Sequence, residues 1–199
     1  MPLTKQAKTL TQQQIKSIFS YIKTQRYPIR NQIIFSLSIY SGLRAKEIAH
    51  LKFSEILNSN NEIDTHINLT NSTSKANSGR SIPIHRTLKS LLKIHLQHRS
   101  TFKYFNPKID YVINTNRSTH TSAQSIVNYF YRLYKTLNYT QTSSHSGRRT
   151  FITNLAKKIH TVNGTLNDIK LLSGHSSLQT TQKYIEYDTN AINKVINLL

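Results

Sequence analysis

Apolar positions recur along the chain in two periods, and the change between them sets out its organisation. Thr11, with Gln14 three residues on, forms a capping-box pattern, and Ile15, Ile18, Phe19 and Ile22 follow at helical spacing, which predicts a helix burying that face. A second helix is predicted from about Pro28, with Ile29, Ile33, Leu37 and Tyr40 on one side and Gly42 as its stop. The run RAKEIAHL predicts a short third helix. From Glu62 the period becomes two: Ile63, Thr65, Ile67 and Leu69 alternate with polar residues, as in a strand with one buried face. SIPIH at 81–85 reads as its partner, and the intervening NSTSKANSG is rich in turn formers, so the pair is expected to form a β-hairpin. Helical spacing returns at about 87–98 through Leu88, Leu91, Leu92 and Leu96, and at 122–137 through Ile126, Phe130, Leu133 and Leu137. Further helices are expected near HSGRRTFITNLAKK and in TLNDIKLLSG, and NAINKVINLL places Ile192, Val195, Ile196 and Leu199 along one terminal stripe. There is no internal repeat and no linker long enough to divide the chain. The expected architecture is one domain, mainly α with a small antiparallel β-sheet (α+β).

Composition narrows the function. With 199 residues and 37% apolar content, the chain can build a single core under a wet surface. Its 27 Lys and Arg against 8 Asp and Glu give a formal net charge of +19, which calls for a polyanionic partner. Nucleic acid is the first candidate. A membrane surface is second, but no apolar run is long enough for a spanning helix and the start lacks a signal-peptide pattern. The charge is spread along the chain, so the folded face itself is expected to be basic. The absence of cysteine excludes disulfides, thiolate zinc sites and cysteine nucleophiles, and fits a reducing compartment.

Four stretches carry polar groups that local structure does not require. SGLRAKEIAHL places Arg44 just after the glycine ending a buried helix, where by itself it would read as a solvated arginine. Lys75 lies at the hairpin tip, where basic residues ordinarily meet phosphate or water. SSHSGRRTF sets His145 and Arg148 three residues apart, on one face of a helix whose buried side is marked by Phe151 and Leu155. SGHSSLQTTQKY places His175 after a glycine at a helix end and Tyr184 on a short helix begun by Ser177. Metal chemistry is a poor reading of these groups, because the histidines lack ligand spacing and carboxylates are scarce. The set has one coherent use. Two arginines can hold the non-bridging oxygens of a phosphodiester through planar, bidentate donors. Phosphoryl transfer then needs an in-line nucleophile, which a tyrosine supplies when His145 or His175 assists with its proton. A lysine on a hairpin can protonate the departing 5′-hydroxyl.

These stretches, in this order, resemble the tyrosine recombinase (phage integrase) family over roughly residues 10 to 190. The resemblance maps the first arginine motif to Arg44 with Glu47 at its acidic position, the catalytic lysine to Lys75, the His-x-x-Arg box to His145 and Arg148, and the final box to His175 and the nucleophile Tyr184. It implies a helical catalytic domain with a small sheet, a 3′-phosphotyrosyl intermediate, and no metal or nucleotide cofactor. It further implies double-stranded DNA as partner, a homo-tetramer on two DNA sites, accessory DNA-bending proteins and a cytoplasmic, DNA-associated location. About ten residues precede the first helix, which resembles the short, catalytic-domain-only members without a separate N-terminal DNA-binding domain. The terminal stripe, about 190–199, is then expected to dock on a neighbouring subunit. Two other readings stay open: a type IB topoisomerase-like nicking and religating enzyme, and a catalytically silent DNA-binding regulator.

The charge alone generates a prediction. Most affinity for duplex DNA should come from phosphate contacts, so a titration between about 50 and 200 mM salt should show affinity falling steeply. Affinity indifferent to salt over that range would contradict it.

Overall fold

A computed structural model describes residues 7–70, 79–115, 118, 120–182 and 184. In chain order these form α1 (Gln12–Lys23), α2 (Pro28–Ser41), α3 (Ala45–His50), β1 (His66–Leu69), β2 (Arg80–Pro83), α4 (Arg86–Ser100), α5 (Ala123–Thr136), α6 (Ser146–Lys158), α7 (Leu166–Ser173) and α8 (Leu178–Gln182). The fold class expected from the sequence is the one observed: among the described residues, helices surround a two-stranded antiparallel sheet.

Local chemistry explains most boundaries. The Thr11 hydroxyl accepts from the Gln14 backbone N–H at 3.2 Å, and the Gln14 side chain accepts from the Thr11 N–H at 2.9 Å, so two orphan donors at the start of α1 are satisfied reciprocally. Ile15, Ile18 and Ile22 are buried as the spacing required. The first strand is shorter than the alternation from Glu62 implied. Asn58 accepts from the N–H groups of Asn60 and Glu62, Asn61 adopts φ +58°, and Asp64 accepts from the Thr65 N–H, so side chains hold this stretch in a turn until His66. Ile63 is nevertheless buried, through a single bridge to Leu57. In the hairpin Ile67 pairs with Ile82 and Leu69 with Arg80.

Helix α2 is the centre of the molecule, packed by α1, α4 and α6, while α3 packs on α5 and α7 lies on α6 and β2. The sequence suggested one apolar side for α2. Instead Ile33, Ile34, Phe35, Leu37 and Ile39 are all buried, as are Ser36, Ser38 and Ser41, while Ile29 and Tyr40 are only partly covered. A helix surrounded on every side loses its amphipathic signature, which is why one stripe understated it. The core continues through Ile18, Ile22, Ile48, Phe53, Leu88, Leu92 and Phe130.

Because α2 is enclosed, truncating it should be costly. Phe35 is fully buried and meets Phe19 edge-on, with ring centroids 5.0 Å apart. Phe35→Ala should cost about 3–5 kcal/mol in urea unfolding, whereas Thr11→Ala at the α1 cap should cost about 1 kcal/mol. Equal midpoints for the two variants would refute the central placement of α2.

Candidate active site

The ends of several elements meet at one place. Helix α2 stops where Gly42 turns left-handed at φ +63°, and Arg44 follows in extended conformation immediately before α3. Glu47, in the first turn of α3, folds back: one carboxylate oxygen accepts from the Arg44 N–H at 2.8 Å and the other from Arg44 Nη1 at 2.9 Å. Helix α7 ends in a Schellman arrangement, with the Gly174 N–H on the Leu171 carbonyl and the His175 N–H on the Lys170 carbonyl. Gly174 has φ +62°, and a Cβ there would lie 2.8 Å from Arg80 Nη1, so both the backbone angle and the available space require glycine.

That Schellman turn leaves three carbonyls at the carboxy end of α7, and each accepts from a different arginine. Arg80 Nε donates to Leu172 at 3.0 Å, Arg148 Nη2 to Ser173 at 2.6 Å and Arg44 Nη2 to Gly174 at 3.1 Å. Arg148 also donates through Nη1 to the Gly42 carbonyl at 2.6 Å, so it joins the end of α2 to the end of α7. Arg80 grips Glu47 with both terminal nitrogens, at 3.0 and 2.9 Å. Burial pushes the Glu47 carboxyl up, but its hydrogen bonds and attraction to Arg80, and then Arg44, outweigh that and hold it below the usual carboxylate range. Arg148 is 4% exposed; burial first, and then the charge of Arg44, lower its guanidinium to about 10.

The remaining groups face this cluster. His145 precedes α6, and burial followed by the charges of Arg148 and Arg44 lowers its imidazole. His175 is lowered to about 4 by burial and then by Arg148, Arg44 and Arg80, so at neutral pH it carries no charge. Its Nδ1 lies 3.0 Å from the Thr181 hydroxyl, and its ring stacks on Tyr184 at 5.6 Å between centroids and 21° between planes. Tyr184 lies two residues beyond α8 rather than on it, with its N–H on the Thr181 carbonyl at 3.0 Å. The Arg149 guanidinium sits 5.8 Å from the Tyr184 ring centre, and the phenol is within electrostatic reach of Arg148. Among the described residues no group of three or more His, Cys, Asp or Glu is placed to hold a metal ion.

The structure therefore brings together Arg44, Glu47, His145, Arg148, His175 and Tyr184. Lys75 and the terminal stripe from Ile192 to Leu199 lie outside the described residues. Arg80 and Arg149 belong to the cluster, and the sequence reading did not single them out. The signal for Arg80 was present: it shares the inward face of its strand with Ile82, a position where an arginine needs a buried partner. A cleft of about 660 Å³ lined by Tyr27, Arg30, His98, Arg99 and Phe102 lies at the opposite end of α2 and contains none of these groups.

A mainly helical domain with one antiparallel hairpin, gathering arginines, histidines and a tyrosine at its helix ends, has the architecture of a tyrosine recombinase catalytic domain. The chain belongs to the phage integrase family, whose profile matches residues 8–191. It is 28% identical over 201 residues to tyrosine recombinase XerD of Rickettsia prowazekii (strain Madrid E), covering 92% of this chain and 60% of that one. It is 25% identical to tyrosine recombinase XerA of Thermococcus kodakarensis, covering 94% and 61%. The chain thus spans about three fifths of the length of these curated relatives. Among solved structures, the Tn1549 transposon integrase in complex with a circular intermediate DNA superposes with a TM-score of 0.75 at 20% identity, covering 98% of this chain and 67% of that one. A crystal structure of XerA recombinase gives 0.73 at 22%, covering 100% and 65%.

The lowered histidines make stability depend on pH with a definite sign. An imidazole that titrates near 6.5 when unfolded and near 4 when folded binds more protons in the unfolded chain between those values, so its contribution is complete above about 6.5 and is lost as pH falls toward 4. The urea midpoint should therefore drop between pH 7 and 5, and His175→Asn should flatten part of that slope. An unchanged slope in the variant would show that His175 is not held neutral by this cluster.

Proposed function

We propose that the chain cuts and rejoins DNA strands through a covalent phosphotyrosyl link at Tyr184. The observation carrying this reading is the Tyr184 phenol stacked on an uncharged imidazole beside the buried Arg148. Each arginine uses two terminal donors to hold its position, Arg44 on Glu47 and Gly174 and Arg148 on Gly42 and Ser173. With five N–H groups apiece, both keep donors for the non-bridging oxygens of a phosphodiester. The Tyr184 oxygen attacks phosphorus, a new P–O bond forms to the 3′ side, and the bond to the 5′-oxygen breaks. The phenol proton passes to His175 or His145. The departing 5′-oxygen takes a proton from Lys75. Attack by the 5′-hydroxyl of a partner duplex reverses these steps and joins the strands, with the arginines neutralising the transition state in both directions.

On this reading the partner is double-stranded DNA, and exchange between two duplexes requires four copies of the chain on two sites, each supplying one tyrosine. The net charge of +19 supports the DNA partner.

Trapping tests the proposal. The protein is incubated with a pool of nicked, genome-derived duplexes, and DNA that stays attached under denaturing conditions is sequenced. Tyr184→Phe should abolish the adduct while leaving non-covalent binding nearly unchanged, and Arg148→Ala should slow adduct formation by about 10² or more. Adduct yield in EDTA should equal that in magnesium. An adduct that survives in Tyr184→Phe would overturn the assignment. Nicking and religation without exchange between duplexes would point to a topoisomerase, and binding without any adduct to a silent regulator.

A further inference from the structure

Glu47 poses an electrostatic problem that rests on the function proposed above. A carboxylate 2.9 Å from Arg44, itself 2% exposed, tends to cancel the charge that Arg44 would present to a phosphodiester. The cluster resolves this through Arg80. Its guanidinium covers both oxygens of Glu47 in a bidentate pair at 3.0 and 2.9 Å, and its third bond goes to Leu172. The two arginines differ in what they face: the Arg44 side chain is 28% exposed, the Arg80 side chain 7%. Arg44 is open to a substrate and Arg80 is enclosed among α3, the end of α7 and its own strand. Three guanidinium groups against one carboxylate leave the cluster with a net charge of +2; without Arg80 it would be +1.

We propose that Arg80 is a positioning residue for strand cleavage: by holding both oxygens of Glu47 it offsets that carboxylate and leaves the charge of Arg44 directed at the scissile phosphate. Arg80 does not touch the substrate. It acts through Glu47, and Gly174 is the residue that makes room for it.

A charge-balancing residue differs from a structural clamp in how it responds to a second substitution. Arg80→Gln should lower single-turnover adduct formation on the nicked-duplex pool by about 10², the scale of losing one preorganised donor. Removing the carboxylate as well, in Arg80→Gln with Glu47→Gln, restores the net charge of +2 and should recover at least about tenfold of the loss, a coupling expected only between groups that interact directly. Arg80→Lys, which keeps the charge without the fork, should stay within about tenfold of the parent protein. The same series gives a readout independent of catalysis, because the three arginines also face His175. By NMR its titration midpoint should rise in Arg80→Gln and fall back in the double variant. Thermal unfolding checks that each variant folds, and if Arg80→Gln does not, Arg80→Lys against the parent decides. A double variant no faster than Arg80→Gln, with the His175 midpoint unmoved, would make Arg80 a clamp and overturn the inference. If the parent protein forms no Tyr184-dependent adduct, the proposed function fails, and the His175 midpoints still decide whether Arg80 balances Glu47.

Discussion

Everything at the candidate site depends on how the carboxy end of one short helix is closed. The last carbonyls of a helix have no partners within it and carry the negative end of its dipole. In α7 the carbonyls of Leu172, Ser173 and Gly174 are taken by Arg80, Arg148 and Arg44, which arrive from the hairpin, from α6 and from the start of α3. The requirement that buried polar groups be paired thus becomes a positional constraint. Three cations are fixed relative to one another because each must reach a different atom of the same turn. His175, the next residue, is placed by the same turn.

The arrangement has a cost in like-charge repulsion, which Glu47 reduces. Its carboxylate is buried, accepts from two guanidinium groups and one backbone N–H, and is held ionised by them. Breaking a buried pair of this kind costs about 3–5 kcal/mol, a large share of the 5–15 kcal/mol that separates folded from unfolded in a typical domain. Burial and then the cationic surplus lower the imidazoles of both His145 and His175.

The enclosed helix α2 supplies the rigidity this needs. Gly42 at its end presents a carbonyl to Arg148, and Phe151 of α6 packs where a Cβ on Gly42 would stand, 2.4 Å from its ring. Displacement of α6 relative to α2 would break the Arg148 bond to the Gly42 carbonyl. The precision of the cluster is therefore inherited from core packing, which changes in steps rather than continuously.

The sequence by itself determined the helices with amphipathic faces, the hairpin and the net positive charge, because periodicity, turn chemistry and side-chain inventory are local properties. It identified Arg44, Arg148, His175 and Tyr184 as residues without a local purpose, and their order along the chain carried the resemblance to a family. Tertiary structure alone decided the rest. That α2 is surrounded on all sides depends on neighbours distant in sequence. Arg80 is the clearest case: its partners Glu47 and Leu172 are 33 and 92 residues away, and only the closing of α7 against the hairpin gives an arginine at that position two acceptors to meet.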